Sequence, residues 1–212
     1  MSSKEVKKTV VFFCDLCGTF IDFTTKKEKT NSEIEKLVLN LERLREIKNA
    51  DEVIFSFLTS DDHNVSSVIK DQMAILNTYI KLNKANIIFG KQFYGKNYFE
   101  IKHNEYVDSK EETTRFKSQT IYDYKNELSK EKEVVFVAFA DDYQLELDLF
   151  LELNYGEKIG VDYQLFSPET GKIKDEVISS PLKYIYGLND CLNIYNDKYK
   201  EKIKVITLDI AI

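Results

Sequence analysis

Two kinds of chemistry compete for one short stretch, VVFFCDLCGTFID at residues 10–22. Read through its cysteines, Cys14-Asp-Leu-Cys17 is a C-x-x-C pair, the spacing of a dithiol redox couple or of half a zinc site. Read through its carboxylate, Asp15 closes an apolar run and is followed by Gly18 and Thr19. A carboxylate held there can act as a nucleophile if a cation relieves its repulsion from an anionic substrate. Gly18 lets the backbone turn sharply and present N–H groups to an oxyanion, and Thr19 adds a hydroxyl at the next step. Further along, Thr59 and Ser60 supply hydroxyls, while Asp141 and Asp142 supply hard oxygens that suit Mg²⁺ better than softer metals.

Each group also has a plainer reading. Asp141 and Asp142 can cap a helix N-terminus, an interaction of about 0.5–2 kcal/mol, and capping is the preferred reading of Asp61 and Asp62. Thr59 alone is an ordinary strand-ending hydroxyl, and only its place relative to Asp15 raises it. The cysteine reading requires two sulfurs within bonding reach. A strand ending at Cys14 points that side chain across the sheet from Asp15, so only a tight turn at Leu16 brings Cys17 back. A zinc site needs further donors, and Cys191, His63 and His103 stand at no ligand spacing. Phe93, Tyr94, Tyr98 and Phe99, beside Lys91 and Lys96, are read first as loop packing and second as a stacking surface for a base or sugar.

Such groups act together only if secondary structure gathers them. Thr9–Cys14, Val53–Leu58, Ile87–Phe89 and Val134–Ala140 are short apolar runs rich in Val, Ile and Phe, and read as strands buried on both faces. Between the first two, Ile34, Leu37, Val38, Leu41, Leu44 and Ile47 recur at helical spacing, with Ser32 and Glu35 as a capping box. Val65, Val68, Ile69, Leu76 and Ile80 mark a second helix. Further helices are predicted at about 114–128, 143–153 and 182–199, with strands near 159–166 and at Val205–Asp209. This alternation predicts an α/β fold with a parallel sheet and helices on both faces. Ligands of such sheets bind outside the carboxyl ends of the strands, where Asp15, Thr59, Ser60, Gly90, Lys91, Asp141 and Asp142 fall.

Composition narrows the class further. A chain of 212 residues can bury one continuous core, and no Pro/Gly/Ser-rich linker divides it, so one domain spanning 1–212 is expected. Three cysteines, an odd number, argue against a secreted disulfide framework. No segment approaches the ~18 consecutive apolar residues of a membrane span, and the N-terminal apolar run is broken by Asp15 without a cleavage site, so a cytoplasmic protein is expected. Net charge is −6 and the lysines are scattered among glutamates, so there is no clear nucleic-acid surface.

Taken in order, the strand ends resemble those of the haloacid dehalogenase superfamily, whose phosphatases carry four short motifs. The first, an apolar strand followed by Asp-x-Asp-Gly-Thr, is matched by VVFFCDLCGT; the second, a strand closing in Thr or Ser, by VIFSFLTS; the fourth, a strand closing in an acidic pair, by VVFVAFADD. The resemblance covers about residues 9–142. It implies a Rossmann-like three-layer sandwich and a Mg²⁺-dependent phosphatase or phosphotransferase acting through an aspartyl-phosphate on Asp15. Thr59 would bind the phosphoryl group and Asp141 and Asp142 would complete the metal site. The third motif is a lysine; Lys117, 24 residues before Asp141, matches the family's separation, with Lys110 and Lys91 as runners-up. No domain-sized insertion is present, and residues 90–112 form at most a small flap, an open arrangement similar to members acting on macromolecular or bulky phosphates. Residues 155–212 extend the sheet and carry no recognised motif.

One departure matters. The family's second aspartate, which protonates the leaving group and then activates water, is replaced by Cys17. The family uses that residue's backbone carbonyl for the metal, so the resemblance keeps Cys17 among the ligands and puts acid–base catalysis in doubt. A positioned acid or base contributes ~10²–10⁴-fold, so a slow enzyme is expected. A thiol with pKa ~8.5 is a poor match for both halves of the cycle. Transport ATPases and phosphonate hydrolases of the superfamily also lack an acid here. The alternatives are a non-catalytic binding or regulatory protein on the same fold, and a C-x-x-C redox protein.

Overall fold

A computed structural model of the chain describes residues 6–16, 18–20, 31–59, 67–82, 84–94, 110–168, 177–179 and 184–208. Its strands are β1 (Lys8–Cys14), β2 (Glu52–Thr59), β3 (Ile87–Phe89), β4 (Phe93–Tyr94), β5 (Glu133–Ala140), β6 (Asp162–Ser167) and β7 (Val177–Ser179). Its helices are α1 (Asn31–Ile47), α2 (Ser67–Leu82), α3 (Lys110–Leu128), α4 (Gln144–Glu152), α5 (Tyr155–Ile159) and α6 (Tyr184–Leu208).

The strands form one sheet in the order β3-β2-β1-β5-β6-β7, with β4 added to the far end of β2. Every pairing among them is parallel. The chain steps outward from β1 through β2 to β3, then returns to lay β5 on the other side of β1. That reversal makes the β1/β5 junction the topological switch point, where loops leave in opposite directions and open a crevice. The ladder runs up to its lip: Asp15 N–H donates to Ala140 O at 2.8 Å and Asp141 N–H to Phe166 O at 3.0 Å.

Alternation along β1 builds two cores. Val10, Phe12 and Cys14 pack with residues of α1, α2 and α6, whereas Val11 and Phe13 pack with residues of α3, α4 and α5. Both faces are therefore covered, which is why these strands read as continuous apolar runs. Phe12 stacks between Phe55 at 5.5 Å and Phe166 at 5.9 Å, and β5 lets the rings meet because the residue paired with Phe12 is the small Ala138, with Ala140 beyond it on that face. Each buried ring contributes about 1.5–3 kcal/mol of transfer free energy.

Against the apolar layer, α1 and α6 join through a buried amide seam. Asn189 Nδ2 donates to Glu33 O at 3.0 Å, Asn40 Nδ2 to Asn189 Oδ1 at 3.1 Å, and Asn196 Nδ2 to Asn40 O at 3.1 Å. Among the described residues no helix is long and apolar enough to cross a membrane.

Three expectations need correction or addition. The predicted strand at Val205–Asp209 is absent: α6 continues through Leu208, and Asp209 lies outside the described residues. Extending an existing helix adds a hydrogen bond per residue without a new nucleus, which outweighs the strand preference of a short β-branched run. α1 begins at Asn31, one residue before the Ser32 expected to cap it. The short strands β4 and β7 were not expected.

Candidate functional site

Strand ends on either side of the switch point bring Asp15, Asp141 and Asp142 together. One carboxylate oxygen from each lies within 4.8 Å of the others. Asp15 and Asp141 are buried and Asp142 is half-buried. α3 crosses behind them and delivers Lys117, whose Nζ stands 2.9 Å from Asp15 Oδ1 and 2.7 Å from Asp141 Oδ2. Among the described side chains, Lys117 is the candidate lysine in the cluster. Lys91 is exposed with its Nζ 5.5 Å from the Phe93 ring centroid, and Lys110 begins α3.

The local chain conformation is built around these groups. Gly18 has φ +90°, and a Cβ there would collide with the Asp142 carboxylate. Only glycine allows that close approach without strain. Thr19 is fully buried and holds Asp142 twice: its Oγ1 accepts the Asp142 N–H at 2.8 Å and donates to Asp142 Oδ1 at 3.3 Å. The hydroxyl assigned from sequence to a ligand thus lies on Asp142. Asp141 divides its oxygens, Oδ2 toward Lys117 and Oδ1 accepting the Tyr143 N–H at 2.9 Å. The N-cap of α4 is Tyr143, so Asp141 braces the turn into the helix and is not its cap.

Thr59, also buried, ends β2 on the same edge of the sheet, where the register sets Cys14 opposite Phe57. β4 prolongs this rim by pairing Tyr94 with Thr59. Cys17 and Ser60 lie outside the described residues, as does the 95–109 part of the expected flap. Cys14 is fully enclosed in the core formed with α1, α2 and α6.

One participant was missed from sequence. Glu146, in the first turn of α4, is buried with Oε1 3.8 Å from Lys117 Nζ. The available signal was an acid on the apolar face that Leu147 and Phe150 define, since a buried glutamate requires a partner.

The electrostatics follow from four carboxylates sharing one ammonium. Burial raises Asp15 well above the ordinary aspartate range, and Asp141 and Asp142 add to this while Lys117 opposes it. Burial also pushes Asp142 up to about 6, helped by the adjacent Asp141 charge. For Lys117, burial favours the neutral form, but Asp141, Asp15 and Glu146 outweigh it and hold the ammonium charged well above the usual lysine value. A site that raises its own carboxylates has excess negative charge to give to a cation. Three converging hard oxygens, one each from Asp15, Asp141 and Asp142, are the kind of donor set that could hold a divalent ion such as Mg²⁺.

No family model matches the chain, and a search among curated proteins finds no match.

Proposed function

We propose that the chain is a Mg²⁺-dependent phosphatase or phosphotransferase of haloacid dehalogenase type, with Asp15 as nucleophile. The observation that carries this reading is the Asp15–Lys117–Asp141 constellation: a nucleophilic carboxylate, a buried ammonium and a second carboxylate joined by contacts of 2.9 and 2.7 Å at the switch point. Bound by Asp15, Asp141 and Asp142, Mg²⁺ would polarise a phosphoryl oxygen and offset the charge of an anionic substrate.

In the first step an Asp15 carboxylate oxygen attacks phosphorus, and the bond to the leaving oxygen breaks with its electron pair. In the second, water attacks the aspartyl-phosphate, phosphate departs, Asp15 is restored as carboxylate and a proton is released. Lys117 and the Thr59 edge stabilise the charge on the transferring group. Thr19 and Gly18 act by fixing Asp142. The Cys17 carbonyl joins the metal ligands in this reading, and its thiol replaces the acid that would protonate the leaving group. Substrates with good leaving groups are therefore turned over best, and the lack of a domain-sized insertion between the motifs in the sequence favours bulky phosphorylated substrates.

Cys17 also favours a second reading, a phosphate- or cation-binding protein that has lost turnover. The redox reading has less support, because Cys14 is fully enclosed and reactive thiols need access. The test is hydrolysis of p-nitrophenyl phosphate with Mg²⁺ by wild type and Asp15→Asn. Activity in the wild type alone supports the proposal, and equal rates overturn it.

A further inference from the structure

The Lys117 ammonium faces a carboxylate outside the cation-binding trio. Glu146 Oε1 lies 3.8 Å from Lys117 Nζ, and both side chains are only 4% exposed. Glu146 stands in the first turn of α4, so the strand-to-helix junction that sets Asp141 and Asp142 also fixes its backbone. The nearer partners of Lys117, Asp15 Oδ1 and Asp141 Oδ2, belong to carboxylates whose oxygens converge for a cation. A divalent ion entering that group takes the anionic charge Lys117 relies on and repels the ammonium. A buried ammonium that loses its anionic partners is strongly disfavoured, so Lys117 needs a carboxylate that the cation does not use.

Building on the phosphoryl-transfer reading above, we propose that Glu146 is a positioning residue that holds Lys117 in the site when a divalent cation takes up the charge of Asp15, Asp141 and Asp142. Lys117 is thereby kept available to phosphoryl oxygens and prevented from closing the cation site as an internal counter-ion.

The experiment is calorimetric titration of the full chain with Mg²⁺ alone, with no phosphate compound present. Wild type, Glu146→Gln, Lys117→Met and the double variant form a cycle. Glu146→Gln is expected to weaken Mg²⁺ binding about tenfold, because Lys117 then competes for Asp15 and Asp141. In the Lys117→Met background the same change is expected to alter affinity less than about threefold. Equal weakening in both backgrounds overturns the proposal, since Glu146 would then act only as a distant negative charge. If Lys117→Met does not fold, the Lys117 ammonium resonance decides by NMR. Hydrogens protected from exchange in Mg²⁺-saturated wild type and lost in Glu146→Gln support the role; protection in both forms overturns it. Absence of any Mg²⁺ binding by folded wild type removes the phosphoryl-transfer reading and this inference with it, whereas normal binding with an additive cycle removes only the role of Glu146.

Discussion

Gly18 lies directly beneath the Asp142 carboxylate, so that a Cβ added to the glycine would stand 2.5 Å from Asp142 Cγ. A turn from β1 and a turn from β5 thus interlock at one point, and the glycine is there because a carboxylate occupies the volume of its missing side chain.

Gly18→Ala is expected to displace Asp142 and to strain a backbone at φ +90°. Left-handed conformations cost about 1–2 kcal/mol for a residue with a Cβ. The variant should show reduced stability in urea and at least a tenfold loss of Mg²⁺ affinity, of the order expected when a support of a metal ligand is lost. Unchanged affinity would mean that Asp142 is not a ligand.

The Asp142 carboxyl, ordinarily titrating at 3.8, is pushed up to about 6. Between those values the folded metal-free protein holds a proton that the unfolded chain has released, so stability falls as pH rises through this window. Asp15, raised chiefly by burial, contributes with the same sign. Denaturation in the presence of a chelator should show Asp142→Asn gaining stability relative to wild type as pH rises from about 4 to about 6. Mg²⁺ affinity of the wild type should increase over the same range, because the ion favours the ionised carboxylates. Parallel stability profiles for the two proteins would remove Asp142 as the titrating group.

Cys17→Asp restores the carboxylate two positions after Asp15. Turnover of an activated phosphoester is expected to rise by ~10²–10⁴-fold, the usual contribution of a positioned acid or base. A folded variant that binds Mg²⁺ yet gains nothing would favour the non-catalytic reading.

The amide seam predicts a stability effect away from the site. Asn189→Ala removes the acceptor used by Asn40 Nδ2 and the donor to Glu33 O. Leaving buried polar groups unmatched costs about 1–3 kcal/mol, to be measured by urea unfolding. A cost near zero would mean that water replaces these bonds.

How much of this was legible in the sequence depended on the physics of each segment. β1, β2 and β5 were readable because both faces are buried, so their apolar runs have no competing pattern. Asp15, Thr59 and Asp141 followed from those runs as the residues that close them. Lys117 came from its separation along the chain, and its burial among carboxylates was not visible in KEETTRFKSQ, a segment that looks solvated. Glu146 was missed because it is one of three acids in a short helix, with Asp148 and Glu152, and such acids are normally exposed. The helical course of Val205–Leu208 was missed because β-branched residues carry little local information once a long helix precedes them. Thr19 was identified as a site residue, but its reciprocal bonds to Asp142 depend on a contact across 123 positions that no local pattern encodes.

The central claim is that Asp15 becomes covalently phosphorylated, and chemical trapping tests it most directly. The protein is mixed with Mg²⁺ and acetyl phosphate, quenched in acid, reduced with borohydride and mapped by mass spectrometry. The account predicts homoserine in place of aspartate at position 15 alone, dependent on Mg²⁺ and absent in the unreacted control. Consumption of acetyl phosphate with residue 15 unmodified and another residue reduced would contradict it.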